Sequence, residues 1–229
     1  MPNLSERLQV IYDLVPQNAR LADIGTDHAY LPTALITSGK IRSAIACDLR
    51  EKPLSNAANT LKSAKCEDRV SLRLSNGLEK VREDEVDTVV IAGMGSDVIC
   101  DIISNAPWLK NNVLLLLQPM TSPEALRKFL YNNGYIISCE TAVYDSGRVY
   151  SVLSVRGGKE KSALSAPDFV SGKLDINDST ARLYLSKQLS RFSACERDLE
   201  KSGAERDKLP EIKSIVSHLK KLLEVPCGV

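Results

Sequence analysis

The sequence has few of the residues from which metal centres are built. It contains only two histidines, His28 and His218, among 229 residues, and its six cysteines are scattered without a C-x-x-C pair. Structural zinc sites need closely spaced cysteine and histidine ligands. We therefore expect no metal site, and we expect reduced cysteines that fill small apolar gaps, as free cysteines commonly do.

Long hydrophobic runs are also missing. The longest apolar run covers residues 113–117, whereas a membrane-spanning helix needs about 20 apolar residues. The first seven residues, Met1 to Arg7, contain no apolar stretch of the kind found in a signal peptide. We therefore expect a cytoplasmic protein that has no membrane partner.

The sequence shows no strong excess of charge of either sign. Its 30 basic and 29 acidic residues give a net charge of +1. Residues 1–157 carry a net charge of −1 and residues 158–229 a net charge of +2. So small a difference does not distinguish a nucleic-acid partner from a small molecule, and a local basic patch could still form in the folded chain. The sequence does not determine the oligomeric state, and we expect a monomer.

The first 157 residues alternate between strand and helix patterns. Leu4, Leu8, Ile11 and Val15 recur at helical spacing. Strands are predicted at residues 20–24, 43–48, 70–74, 87–92, 113–118, 135–144 and 148–155, and further helices at 31–38, 51–64, 96–104 and 123–132. Five βα units followed by a β-hairpin predict an α/β fold with a doubly wound, mostly parallel seven-stranded sheet and an antiparallel strand at or near one edge.

The remainder of the chain has a different pattern. Gly157-Gly158 begins a predicted linker, and residues 178–225 show two helical stripes separated at Ser202-Gly203. The stripes consist of Leu185, Leu189, Phe192 and Leu199, then Leu209, Ile212, Val216, Leu219 and Leu223. This pattern predicts an antiparallel helical hairpin of coiled-coil type. We therefore divide the chain into residues 1–157 and residues 158–229, the second part comprising the linker and the hairpin.

The turn after the first predicted strand carries an unusual charge for a cofactor loop. It reads Asp23-Ile24-Gly25-Thr26-Asp27-His28-Ala29-Tyr30-Leu31-Pro32, and Gly25 is its only glycine. A dinucleotide loop needs more glycines for the close approach of a diphosphate, which Asp23 and Asp27 would also repel. Two carboxylates suit S-adenosylmethionine, whose methionyl end carries an ammonium and a sulfonium. For Asp27, a helix-capping role remains an alternative.

Two further strand ends carry candidate cofactor residues. Asp48 ends the second strand, where a carboxylate can accept hydrogen bonds from ribose hydroxyls, although a solvated strand-end aspartate is the alternative. Asn76, in Ser75-Asn76-Gly77, could bind an adenine edge through its amide, but Asn-Gly is also a common turn.

The end of the fourth strand and His28 are candidates for the reacting end of the site. Ala92-Gly93-Met94-Gly95 follows that strand, and its glycines would let a flat base approach or would simply form a tight turn. His28 could position an acceptor or act as a base, or it could be structural, as we expect for His218.

These motifs together resemble a known family. Ala22 to Pro32, Ile91-Ala92-Gly93-Met94-Gly95 and Leu117-Gln118-Pro119 occur in the same order in bacterial TrmK-type tRNA (adenine(22)-N1)-methyltransferases. The resemblance also includes the N-terminal Leu4-Ser5-Glu6-Arg7-Leu8 helix and the C-terminal hairpin, and so covers essentially the whole chain.

The resemblance implies a Rossmann-like class I methyltransferase that uses S-adenosylmethionine to methylate N1 of adenosine 22 in tRNA. It places His28, Met94 and Gln118-Pro119 near the acceptor. The expected cofactor-binding residues are Asp23, Gly25, Asp27, His28, Asp48, Leu49, Asn76, Gly77, Ala92 and Gly93. The expected catalytic residues are Asp27, His28 and Met94.

Two positions depart from the family pattern. The family commonly has Gly-Asp-Gly where this chain has Ser75-Asn76-Gly77, and a third glycine where it has Ser96. An asparagine keeps an oxygen acceptor and adds a donor, so adenine could still bind.

Other functions remain open from the residues alone. A methyltransferase for a small molecule would fit the near-neutral charge but would leave the hairpin without a purpose. A non-catalytic cofactor-binding scaffold is a second alternative, and an NAD-dependent oxidoreductase is disfavoured by the loop's lack of glycines.

Overall fold

The computed structural model describes residues 3–202 and 205–225. Seven strands form one sheet in the order β3-β2-β1-β4-β5-β7-β6. The strands are β1 (Leu21–Ile24), β2 (Ala44–Asp48), β3 (Val70–Leu74), β4 (Thr88–Met94), β5 (Leu114–Pro119), β6 (Tyr135–Asp145) and β7 (Arg148–Gly157). The first five strands are parallel, and β7 runs antiparallel to both of its neighbours. The predicted doubly wound sheet is confirmed, with its antiparallel strand next to one edge.

The strands are apolar on both faces because helices cover the sheet on both sides. Along β5, Leu114 and Leu116 pack into one core cluster and Leu115 and Leu117 into the other. The helices are α1 (Glu6–Leu14), α2 (Tyr30–Thr37), α3 (Glu51–Ser63), α4 (Ser96–Ser104), α5 (Pro123–Asn132), α6 (Ala166–Ser171), α7 (Ser179–Ser202) and α8 (Leu209–Glu224). Helices α1 to α3 contribute to the first cluster, and α4 and α5 to the second. This burial on two faces explains the nearly continuous apolar run in β5.

The predicted linker contains a helix that sequence analysis missed. Helix α6 has six residues and is capped by Ser165, whose backbone N–H and hydroxyl both contact the Asp168 carboxylate. Its own Phe169 and Val170 are buried. The segment after Gly158 is therefore packed structure in part, and a description of it only as a linker is wrong.

The C-terminal helices pack against each other and against the sheet. Leu185, Leu189, Ile212 and Leu219 lie in a third apolar cluster that also contains Ala142 of β6. This arrangement agrees with the predicted stripes, and α7 ends at Ser202 as expected. Gly203, the other half of the predicted break, lies outside the described residues. The division between residues 1–157 and 158–229 stays a prediction.

A buried ion pair joins these parts of the chain. Arg127 of α5 contacts both carboxylate oxygens of Glu140 on β6, at 2.5 Å for the shortest contact. The same guanidinium donates to the Phe169 carbonyl at 2.7 Å and to the Tyr184 hydroxyl at 3.0 Å. Burial disfavours the charged guanidinium, but Glu140 and Tyr184 outweigh that effect and raise the pKa of Arg127. One side chain thus links α5, β6, α6 and α7.

The cysteines follow the expected pattern only in part. Cys47 and Cys66 are buried, as predicted, but Cys139 and Cys195 are exposed and fill no apolar gap. Those two lie on the outer faces of β6 and α7, where the sequence pattern does not separate cysteine from other small residues. Cys227 lies outside the described residues. Within the described part of the chain, no helix is both long and apolar enough to cross a membrane.

Candidate cofactor and acceptor site

The candidate site lies where the strand order reverses. β1 is paired with β2 on one side and with β4 on the other, so the chain connections leave the sheet in opposite directions at this point. In doubly wound sheets, the crevice beyond the carboxyl ends of such strands is where ligands bind. The carboxyl ends of β1 to β5 and the loops that follow β1, β2 and β3 carry the residues that the sequence analysis selected for this site.

The turn after β1 is held by backbone hydrogen bonds to β2. The N–H groups of Gly25 and Thr26 donate to the Cys47 carbonyl at 2.8 and 3.0 Å. Gly25 has a φ of +79°, which a glycine adopts without strain. The Thr26 hydroxyl accepts from the Ala29 N–H at 3.2 Å. The N-cap of α2 is Ala29, which has no side-chain cap hydrogen bond, so the alternative role of Asp27 as the cap of that helix is wrong.

Asp23 is a buried carboxylate with no basic partner among the described residues. Its side chain is 9% exposed and borders a cavity. Burial raises the pKa of Asp23 to about 6, and a hydrogen bond with Thr26 offsets part of that rise. An uncompensated buried charge is costly. A cationic ligand in the cavity would supply the missing partner.

The first of two cavities lies beyond β2 and β3 and has a volume of about 530 Å³. Asp48, Leu49, Asn76 and Gly77 line it, together with Ile102 from α4. Oδ1 of Asp48 accepts the Arg50 N–H at 2.8 Å, which leaves Oδ2 available for a ligand hydroxyl. The Asn76 amide donates to Glu79 at 2.9 Å, and its carbonyl oxygen has no partner in the described residues. These acceptors suit a ribose and an adenine edge.

The second cavity, of about 390 Å³, lies beyond β1, β4 and β5. Its lining includes Asp23, Asp27, His28, Tyr30, Ala92, Gly93 and Gln118. Gly25 borders both cavities, and the terminal methyl of Met94 lies directly over it. Any side chain at position 25 would collide with that methyl group. Met94 therefore lies over the glycine that borders both cavities.

An aromatic pair stands at the mouth of the second cavity. The rings of His28 and Tyr30 are stacked, with centroids 4.9 Å apart and planes within 6°. His28 Nε2 lies 3.5 Å from an oxygen of the exposed Asp27 carboxylate. This arrangement can present a flat aromatic surface and a polar ring nitrogen to an incoming base. His218, in contrast, lies far along the chain in α8, where its ring nitrogen is 3.3 Å from the Ser171 hydroxyl.

One site residue was missed by the sequence analysis. Arg7 of α1 lines the second cavity and donates to Gln118 at 3.0 Å. A single arginine on an amphipathic helix gives no signal of its own, and only the three-dimensional placement of α1 identifies it. The departure at Ser96 also finds an explanation, since its hydroxyl donates to the Thr121 carbonyl at 2.6 Å and ties α4 to the loop after β5. No cluster of potential metal ligands occurs in residues 3–202 and 205–225.

This sheet order, with a buried carboxylate near the carboxyl end of β1 and another at the end of β2, is that of a Rossmann-like methyltransferase fold. The chain belongs to the methyltransferase domain family, whose model matches residues 4–153. Among its relatives is the tRNA (adenine(22)-N(1))-methyltransferase of Bacillus subtilis, which is 28% identical over 94% of this chain and 98% of the relative.

Two solved structures share almost the whole chain. Sp1610 of Streptococcus pneumoniae in complex with S-adenosyl-L-methionine is 31% identical, covers 97% of this chain and 100% of its own, and has a TM-score of 0.83. TrmK of M. capricolum in complex with S-adenosyl-homocysteine is 27% identical, covers 96% of this chain and 98% of its own, and has a TM-score of 0.79. The coverage includes the C-terminal helices as well as the sheet.

Proposed function

We propose that this protein transfers a methyl group from S-adenosylmethionine to N1 of adenosine 22 in tRNA. The observation that carries the chemistry is the buried Asp23 carboxylate, which has no basic side chain as partner in residues 3–202 and 205–225 and borders the cavity at the carboxyl end of β1. The choice of substrate rests on the relatives, whose similarity extends over 94% or more of the chain.

The residues fit the cofactor at both ends. The Asp23 carboxylate accepts the ammonium of the methionyl part, and the free oxygen of Asp48 accepts from ribose. Asn76 and Gly77 bind the adenine edge, with Leu49 against its face. When bound, the cofactor supplies a methyl group made electrophilic by the neighbouring sulfonium. The backbone of Ala92 and Gly93 forms the wall of the second cavity, on the acceptor side.

The acceptor needs orientation more than activation. N1 of neutral adenine carries a lone pair in the ring plane, so no base has to remove a proton before the transfer. Adenosine must first leave its stack in the tRNA, at a cost of a few kcal/mol. The His28–Tyr30 pair can receive the exposed ring, and Met94 can pack on it from the Gly25 side. The Asp27 carboxylate lies beside the His28 ring, 3.5 Å from its Nε2. Alignment of this kind can account for much of a rate enhancement.

We infer four further features as part of the same proposal. Residues 1–157 bind the cofactor and carry out the transfer, and the C-terminal hairpin holds part of the tRNA. The protein acts as a monomer. It works in the cytoplasm, where its tRNA substrate is present.

The decisive experiment is incubation with labelled S-adenosylmethionine and bacterial tRNA, followed by nucleoside analysis. We expect 1-methyladenosine with a tRNA transcript that carries adenosine at position 22. A transcript with guanosine at that position serves as the matched substrate control and should remain unlabelled. Cofactor binding without 1-methyladenosine in either RNA would contradict the proposal and favour a small-molecule acceptor or a scaffold.

A further inference from the structure

Arg7 is held on several sides at the edge of the acceptor cavity. Its Nε donates to an Asp145 oxygen at 2.6 Å, and its Nη1 donates to Gln118 Oε1 at 3.0 Å. The guanidinium also lies over the Tyr150 ring, 5.0 Å from the centroid. The bond to Arg7 is the main cause that lowers the pKa of Asp145, so the pair stays ionised at neutral pH. Arg7 therefore has one fixed orientation, set by β6 and β7.

Gln118 passes this orientation to the loop after β4. Its side chain is fully buried, and its Oε1 accepts from the Gly93 N–H at 3.1 Å as well as from Arg7. Its Nε2 donates to the Pro119 carbonyl at 2.9 Å. A reversed amide would direct N–H groups at both Arg7 and Gly93 and its oxygen at the Pro119 carbonyl, so these three partners together permit only one of the two amide orientations.

The orientation of the Gln118 amide affects the acceptor cavity through the backbone of Gly93. The register between β4 and β5 shifts between Ala92 and Met94, and Gly93 has a φ of +77°. Nothing lies within 4 Å of the place where a Cβ would stand, so the residue faces open space beside the acceptor cavity. An irregularity of this kind disrupts the ladder locally, and here the Gly93 N–H donates to the Gln118 side chain.

We propose that Arg7 is a positioning residue for methyl transfer. Arg7 acts through Gln118 on the backbone of Gly93. The proposal rests on the proposed function and adds to it a residue outside the strand-end motifs. Arg7 holds the amide of Gln118, and Gln118 holds the Gly93 N–H, so the cavity wall is set before the substrate arrives. Displacement of reacting groups by about 1 Å can cost ~100-fold in rate.

The test compares Arg7→Ala, Arg7→Lys, Gln118→Ala and the Arg7→Ala/Gln118→Ala double variant. Single-turnover methylation of tRNA at saturating cofactor should fall ~100-fold in Arg7→Ala and Gln118→Ala. The double variant should lose little more, because the two residues act as a unit. Arg7→Lys should recover part of the rate, since lysine keeps the charge but lacks the rigid fork of donors. Arg20→Ala is the matched control, because Arg20 pairs with Asp87 at the amino-terminal ends of β1 and β4, away from the site.

A second measurement tests the same chain of contacts without the reaction. The backbone amide signal of Gly93 in an NMR spectrum of the cofactor-free protein should shift in Arg7→Ala and in Gln118→Ala, and should stay in place in Arg20→Ala. An unmoved Gly93 signal in Arg7→Ala would overturn the proposal, as would multiplicative rate losses in the double variant.

The outcome also separates this proposal from the proposed function. If the unmodified protein makes no 1-methyladenosine, the proposed function fails, and the Gly93 signal still decides whether Arg7 acts through Gln118. If Arg7→Ala weakens cofactor binding tenfold while Gln118→Ala does not, Arg7 contacts the cofactor directly and the positioning role is wrong. If only the KM for tRNA rises and Arg7→Lys gives no recovery, Arg7 binds RNA and the positioning role is again wrong.

Discussion

Ionisation of Asp23 lowers the stability of the folded chain but favours the binding of a cationic ligand. Its pKa in the folded chain is raised to about 6 from an ordinary value of 3.8. The folded chain therefore binds more protons than the unfolded chain between about pH 4 and pH 6, and the free energy of unfolding falls as pH rises through that window. Above pH 6 the loss is complete and amounts to roughly 3 kcal/mol at most, at about 1.4 kcal/mol per pKa unit.

Asp23→Asn should therefore stabilise the free protein and weaken cofactor binding. At pH 8 we expect the free energy of unfolding to rise by roughly 1–3 kcal/mol, because the buried charge is removed. Calorimetry should show S-adenosylmethionine binding at least tenfold more weakly. Thermal unfolding with and without the cofactor measures both effects on one sample. A variant that is less stable at pH 8 and binds with unchanged affinity would contradict the assignment.

The same carboxylate predicts a pH dependence of binding in the unmodified protein. The ammonium of the cofactor requires ionised Asp23, so affinity should fall roughly tenfold for each pH unit below about 6. Above pH 6 the affinity should stay level until the ligand's own groups titrate. Asp23→Asn is the control, since its weaker binding should not change across the same range. A flat profile for the unmodified protein between pH 5 and pH 7 would rule out an ionised Asp23 as the ammonium partner.

At the scale of elements, sequence patterns predict the strands and helices that contain several regularly spaced apolar residues. They miss short helices and the roles of single residues. The apolar runs of all seven strands and the stripes of α7 and α8 could be recognised because each is supported by several residues. Helix α6 has only six residues, too few for a periodic signal, although Ser165 and Asp168 form a capping pattern that could have located it. The role of Arg127 could not be predicted, because an arginine on an amphipathic helix is usually solvated.

Arg127 is the main test of how the C-terminal helices are attached. Removal of one partner of a buried ion pair leaves the other charge without compensation and typically costs 3–5 kcal/mol. We expect Arg127→Leu to lower the free energy of unfolding by about that amount, since Glu140 is also fully buried. The Arg127→Leu/Glu140→Leu double variant should lose less than Arg127→Leu alone. Denaturant unfolding measures both. A surface pair such as Arg191–Glu124 should give less than about 1 kcal/mol when Arg191 is replaced by alanine.

At the scale of the whole molecule, the strand-end motifs locate the site but do not explain its walls. Asp23, Asp48 and Gly93 lie where their positions after successive strands predict, because parallel strands bring their carboxyl ends to one edge. Arg7 meets Asp145 and Tyr150 beside them although it lies far from both in the sequence. No short motif contains that information, since it depends on how α1 packs against β6 and β7.

The C-terminal hairpin offers the final prediction, which concerns tRNA affinity. Lys220 and Lys221 are exposed on α8 without an ion-pair partner among the described residues, whereas Lys213 is paired with Glu200. If the hairpin holds tRNA, Lys220→Glu/Lys221→Glu should weaken tRNA binding roughly tenfold and reduce the slope of log affinity against log salt by about 2. Filter binding over a salt series measures both quantities.

The matched control replaces two basic residues by glutamate at the amino-terminal ends of the strands. Arg42 and Arg69 are exposed and precede β2 and β3, so they lie away from the strand ends that carry the site. Arg42→Glu/Arg69→Glu should leave the salt slope within about 0.5 of the unmodified value, because neither residue contacts a phosphate in this arrangement. Equal losses in the two variants would show that net charge alone governs the affinity. Unchanged binding in the Lys220→Glu/Lys221→Glu variant would exclude that face of α8 from the tRNA interface and move the search to the loops around His28 and Tyr30.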